Sequence, residues 1–204
     1  MKLLLSTLVL LLSVLVENPA LPAAPPSPED ISACVSSDKL SANLSESDST
    51  LLNTAKELGE RYYDERKFGK AVKCLIVSAK LDDPKSQFTL GAFLYRGIGV
   101  PIDVERAKHW LLVSAKNNDT NAMVILAHMY EKGRSADGVD LVKSFYWTKN
   151  AAELGNVQMQ AILGMKYETG KGVLEDKVQA MMWYKKAADN GHKVAEQLLK
   201  RMHE

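Results

Sequence analysis

Histidine and cysteine are scarce in this chain: four and two among 204 residues. The histidines, His109, His128, His192 and His203, stand apart from one another. None has a second His, Cys or carboxylate at a metal-ligand spacing. No metal site and no cofactor site is therefore expected. A Gly-x-Ser-x-Gly elbow, a phosphate loop and a dinucleotide fingerprint are all missing, and so is any paired acid-base constellation. No catalytic residue can be named, and the expectation is a protein that is not an enzyme. Strand-like alternation is absent as well, which argues against a sheet. Net charge is only +1, which excludes bulk binding of nucleic acid. The charge is uneven, −4 over residues 1–50 and hence +5 over the rest, a mild field compatible with an acidic partner.

One long apolar run exists, at the start. Met1-Lys2 supplies a basic beginning, and Leu3 to Val16 is interrupted only by Ser6, Thr7 and Ser13. That stretch is too short to cross a bilayer, which needs about 20 apolar residues. It fits the apolar region of a secretory signal peptide spanning residues 1–23, cleaved after Ala23 or, alternatively, after Ala20. Export to the periplasm or the medium is then expected, with no membrane insertion of the mature chain. Export makes a disulfide chemically permissible, and Cys34 and Cys74 are the candidates. Either they pair, or Cys74 is a small buried apolar residue.

Residues 24–50 are polar and rich in Pro and Ser. Ser27-Pro28-Glu29-Asp30 has the form of a helix start, with a short helix around Asp30–Val35. Ser41 to Ser49 lacks periodicity and reads as a linker. From Leu51 the texture changes to apolar residues at helical spacing, broken by glycine.

The dominant signal is a repeat. Trp110, Trp147 and Trp183 are spaced by 37 and 36 residues, and Cys74 occupies the tryptophan slot one step earlier. Three residues before each slot stands Ala71, Ala107, Ser144 or Ala180. Five residues after it stands Ala79, Ala115, Ala152 or Ala188. Asp103, Asp140 and Asp176 precede the tryptophans by seven and are placed to cap a following helix. Leu90-Gly91, Leu126-Ala127 and Leu163-Gly164 lie upstream. Glycine loops follow at Gly97-Ile98-Gly99 and Gly170-Lys171-Gly172, with Gly133 in the middle unit. Each unit reads as helix A, glycine loop, helix B. No unit can bury its own apolar face, so stacking must supply the core.

The pattern Leu-Gly-x-x-Tyr-x-x-Gly-x-Gly-Val, then Asp, Ala, Trp and Ala-Ala, resembles the Sel-1-like repeat family, relatives of tetratricopeptide repeats. Residues 86–118, 122–155 and 159–191 carry it. Residues 54–82 form a divergent first unit with Leu58-Gly59-Glu60-Arg61-Tyr62 and no glycine loop. The resemblance implies an all-α, right-handed α/α superhelix with four repeats over 51–192 and a capping helix over 193–204. It also implies protein–protein adaptor work, with a protein or peptide partner. Some cysteine-rich members have been linked to β-lactam binding or hydrolysis, but they carry a cysteine pair in every repeat, and this chain does not. Alternatives to the adaptor are a peptidoglycan-binding regulator and, further off, a β-lactam-hydrolysing enzyme.

In tetratricopeptide-type solenoids, helices A line the concave face. Transferring that geometry as fixed offsets from each Leu-Gly places Lys56, Glu60, Tyr63 and Asp64 there, then Phe88, Ala92, Tyr95 and Arg96, then Val124, His128, Glu131 and Lys132, then Ala161, Met165, Glu168 and Thr169. Tyr63, Phe88, Tyr95, Arg96, His128 and Lys132 are the candidate partner-binding set, because aromatic and arginine side chains dominate interface energies. Arg96 and Lys132 would read a carboxylate. Asn43-Leu44-Ser45 and Asn118-Asp119-Thr120 match the N-glycosylation pattern.

Overall fold

The computed structural model describes residues 26–35 and 48–203. The expected signal peptide and most of the Ser-rich linker, with Asn43, lie outside them. The described residues form α1 (Pro28–Val35), α2 (Asp48–Asp64), α3 (Phe68–Lys80), α4 (Pro84–Arg96), α5 (Val104–Lys116), α6 (Thr120–Lys132), α7 (Leu141–Glu153), α8 (Val157–Thr169), α9 (Lys177–Asp189) and α10 (Lys193–His203), with no strand among them. They belong to two compact units, one within Leu21–Ala122 and one from Met123 onward.

In the first unit, α1 starts as its sequence suggests. The Ser27 hydroxyl accepts from the Asp30 amide at 3.1 Å and the Asp30 carboxylate accepts back from the Ser27 amide at 2.9 Å, a reciprocal cap. The linker expectation needs correcting at its end: α2 begins at Asp48, three residues before Leu51. An acidic residue in the first turn meets the positive helix end and extends the helix into the serine run. Behind α2 and α3 lie Ala55, Leu58, Tyr62, Ala71, Cys74 and Val77, buried together with Cys34 and flanked by Ile31. Cys34 and Cys74 form a disulfide, with Cα atoms 4.7 Å apart. The second cluster joins Val72 and Ala79 of α3 to Leu90, Phe93 and Leu94 of α4 and Ala107 and Trp110 of α5. Trp110 thus packs on the helix B of the preceding hairpin. Cys74, in the same slot, packs on α1, which stands where a preceding helix B would.

The second unit repeats the arrangement. Ala161, Ala180, Tyr184, Ala187 and Ala195 form its core with Tyr167, Leu198, Leu199 and Met202 around them. Gly164 lets α8 and α9 approach: a Cβ there would lie 2.6 Å from the Tyr184 ring. Gly172 has φ +76°, and a side chain on it would collide with the Leu141 backbone at the start of α7. The glycine loop is thus a close-approach site against the preceding helix B as well as a turn. Gly99 makes the same approach to Phe68 and Gly69 in the first unit.

The three repeat aspartates do cap helices B. Asp103, Asp140 and Asp176 accept from the amides of Arg106, Lys143 and Gln179 at 3.0, 2.9 and 3.0 Å. Helices A are capped in register as well, Asp83 accepting from Ser86, Asp119 from Ala122 and Asn156 from Met159, and at α10 the His192 imidazole accepts from Ala195. His192, which follows Gly191 in the turn before α10, is therefore a cap.

Candidate functional site

The first unit holds a cleft of about 370 Å³ between α2 and α4. Small residues on helical faces create it: Ala55 and Gly59 on α2, Ala71 on α3. Leu75 and Ser78 complete the floor. Lys56, Glu60, Tyr63 and Asp64 form one wall, and Lys85, Ser86, Thr89 and Phe93 the other. The walls are tied in matching order along two parallel helices. Lys56 reaches Asp83 at 2.8 Å, Lys85 reaches Glu60 at 3.5 Å, and the Tyr63 ring meets Phe93 at 6.0 Å between centroids. Tyr63 also sits edge-on to Phe68 at 5.5 Å. Half of Tyr63 is open to solvent (52%), whereas Phe93 is sealed (7%).

Asp83 anchors the cleft beside the start of α4. Burial pushes its carboxyl up, but the Lys56 ammonium and the Ser86 hydroxyl and amide outweigh that and hold it below its ordinary value. The Ser86 hydroxyl donates to Asp83 at 2.7 Å and receives from Ser78 at 2.8 Å, so the polar floor is closed by its own bonds.

Of the six residues expected to bind a partner, only Tyr63 lines this cleft. Phe88 is half-buried on α4, and Tyr95 packs against the cluster of Leu90, Phe93, Leu94 and Trp110. Arg96 is exposed at the last turn of α4. His128 and Lys132 are exposed on α6, in the second unit. The physical reason is geometric. A cleft between successive helices A is walled by one flank of the first and the opposite flank of the second. A single offset from each Leu-Gly selects the same flank on every helix, so it finds Lys56, Glu60, Tyr63 and Asp64 on α2 and misses Lys85, Thr89 and Phe93 on α4. The signal was available: residues 85, 89 and 93 share a face at i, i+4, i+8.

The second unit uses the corresponding repeat positions differently. Tyr63 and Phe93 stand five after Leu58 and three after Leu90. Glu131 and Lys166 stand five after Leu126 and three after Leu163. Where the first unit has two rings, Lys166 donates to Glu131 at 3.1 Å and to the Ser144 hydroxyl at 2.9 Å. Lys166 is only 2% exposed. Burial pushes the Glu131 carboxyl up, and the bond and charge of Lys166 more than offset it, leaving it low. A serine bonded to a lysine has the form of an activated nucleophile. Ser144, however, is fully enclosed (0% exposed), so no substrate can meet it in this arrangement. The group is an inter-repeat clasp.

A second recurring clasp escaped the sequence reading. Gln87 and Gln160 are buried, and each donates to a carbonyl at the end of the preceding helix B, Ala79 and Ala152, at 3.3 and 3.2 Å. Each also accepts from an asparagine 30 residues on, Asn117 or Asn190, at 3.1 Å. Among the described residues no cluster of His, Cys, Asp and Glu is arranged to hold a metal. No helix among them is long and apolar enough to cross a membrane.

Stacked helix hairpins, closed polar clasps and an open surface cleft define a repeat protein of the α/α-solenoid class. The chain belongs to the Sel1 repeat family: the Sel1 repeat matches residues 84–119, 120–156 and 157–192. Proteins of this family are interaction scaffolds for other proteins. The α2–α3 hairpin lies outside those matches. Chitin synthase regulatory factor 4 of Schizosaccharomyces pombe is 29% identical over 126 residues, which is 61% of this chain and 19% of that much longer protein. A Sel1 repeat protein from Oxalobacter formigenes aligns with TM-score 0.63 and 26% identity over 74% of this chain and 62% of its own. A protective antigen of uropathogenic Escherichia coli displaying an SLR fold aligns with TM-score 0.64 and 28% identity, over 74% of this chain and 33% of its own.

Proposed function

We propose that this chain is an exported protein–protein adaptor that seats a segment of its partner in the cleft between α2 and α4. The observation that carries the reading is the half-open Tyr63 ring above the sealed Phe93, in a cleft whose polar groups at the Asp83 end satisfy one another. A preformed apolar hollow with a few polar groups at its rim is the form of a binding site. Export rests on the apolar run Leu3 to Val16, and the Cys34–Cys74 disulfide supports an oxidising compartment.

The test is a crosslinked pull-down from native extract with the chain from residue 24 onward. Tyr63→Ala combined with Thr89→Glu should abolish capture of a dominant partner while circular dichroism stays unchanged. Tyr95→Ala combined with His128→Ala should leave capture intact. Capture that survives the first pair and fails with the second would move the site away from this cleft.

A second reading is a regulator of a polysaccharide synthase, suggested by the similarity to chitin synthase regulatory factor 4 of fission yeast. It predicts that the captured partner is such a synthase. Direct retention of the purified chain on peptidoglycan, with no protein present, would favour a wall-binding regulator instead.

A further inference from the structure

The charges around the cleft do not cancel. Three carboxylates line it, Glu60, Asp64 and Asp83, against two ammonium groups, Lys56 and Lys85. Lys56 is taken by Asp83 and Lys85 by Glu60. Asp64 is left, exposed and without an ion pair or hydrogen bond among the described residues. It is the last residue of α2, so the negative end of that helix adds to its field. The neighbouring cation Arg61 is held over the Tyr62 ring, 5.9 Å from its centroid. Next to Asp64, the exposed face of Tyr63 adds a second attraction for positive charge, that of an aromatic quadrupole.

The cleft therefore has direction. Its α4 N-terminal end is closed by Asp83, Ser86 and Lys56, which satisfy one another. Its other end offers the Tyr63 ring and the Asp64 carboxylate, beside the apolar surface of Leu75 and Phe93. Resting on the adaptor reading above, we infer that the cleft selects a partner segment in which an apolar side chain is accompanied by an arginine or lysine. The apolar group fills the hollow against Leu75 and Phe93. The cation lies between the Tyr63 ring and the Asp64 carboxylate. An acidic residue at that position would meet Asp64 and the helix end and be rejected.

The test is selection of a phage-displayed dodecapeptide library on the immobilised chain with its disulfide intact. Affinities of the selected peptides are then measured by fluorescence anisotropy. The expected consensus pairs an aromatic or leucine with Arg or Lys. Asp64→Asn should weaken those peptides at least five-fold, and should leave versions with Gln in place of the cation within two-fold. Higher salt should lower the affinity of the basic peptides only. An acidic consensus, a basic consensus indifferent to Asp64→Asn, or no enrichment would overturn the inference. An apolar consensus without a cation, lost on Tyr63→Ala, would overturn it while leaving the cleft as the docking site. Peptides indifferent to every cleft substitution would remove both.

Discussion

The Glu131–Lys166–Ser144 clasp makes an asymmetric prediction. Lys166 is enclosed, whereas about a third of the Glu131 side chain reaches solvent (32%). Glu131→Leu strands an ammonium in the interior with one serine hydroxyl as company. Breaking a buried pair from one side costs about 3–5 kcal/mol, and partial exposure of the group removed lowers the expectation to about 2–3 kcal/mol. Lys166→Met fills the same slot with an apolar chain and leaves Glu131 to water, at a cost of about 0–1 kcal/mol. The double variant should resemble Lys166→Met. Urea denaturation of the four proteins at neutral pH measures the cycle, and a 2 kcal/mol loss corresponds to a midpoint shift of about 1 M. The pH dependence has a fixed sign. Glu131 titrates below its ordinary 4.5 in the folded chain, so its stabilisation is complete above that value and is lost as pH falls through the lower, folded one. The difference between wild type and Glu131→Leu should narrow over that acidic window. Equal costs for the two single variants, or a loss below about 0.5 kcal/mol for Glu131→Leu, would refute the reading of Lys166 as a buried cation dependent on Glu131.

Cys34→Ser with Cys74→Ser opens a closed loop of about 40 residues, worth about 4 kcal/mol in the chain-entropy picture. Thermal melts of the first unit's signals should fall accordingly, and thiol labelling of the oxidised wild type should find no reactive cysteine. Trp110→Ala should cost about 3–5 kcal/mol, measured by denaturant unfolding, because its indole joins α5 to α3 and α4. An unchanged midpoint would break the repeat register. Gly164→Ala should destabilise by about 1–3 kcal/mol, since its methyl must displace the fully buried Tyr184 ring. A neutral effect would mean that α8 and α9 separate easily.

What was legible in the sequence was whatever recurs at one repeat position for one local reason. The aspartates before helices B cap by a contact to the chain three residues on, so their spacing alone reveals them. Gly91 and Gly164 recur because each lets the two helices of its hairpin approach, and Gly99 and Gly172 because each meets the start of the preceding helix B. Helix A caps were hidden because Asp83, Asp119, Asn156 and His192 do the same work with three kinds of side chain. Lys166 was hidden because its partners come from two other helices, and at the equivalent place in the first unit the pair is Tyr63 and Phe93. The cleft was half legible for the same kind of reason. Which flank of α4 faces α2 depends on how one hairpin is rotated against the last, and no spacing within one helix contains that angle.

The disulfide in the tryptophan slot has a consequence for when and where this chain finishes folding. The α4–α5 hairpin closes on the Trp110 indole, which packs in any redox environment. The first hairpin closes on a bond that exists only after two electrons have been removed. Where thiols stay reduced, α1 is held by its Asp30–Lys80 ion pair and a few apolar contacts. The hairpin that carries Tyr63 and Asp64 then loses its covalent backing. With the disulfide formed, α1 is fixed against the hairpin whose first helix supplies the Tyr63–Asp64 wall of the cleft.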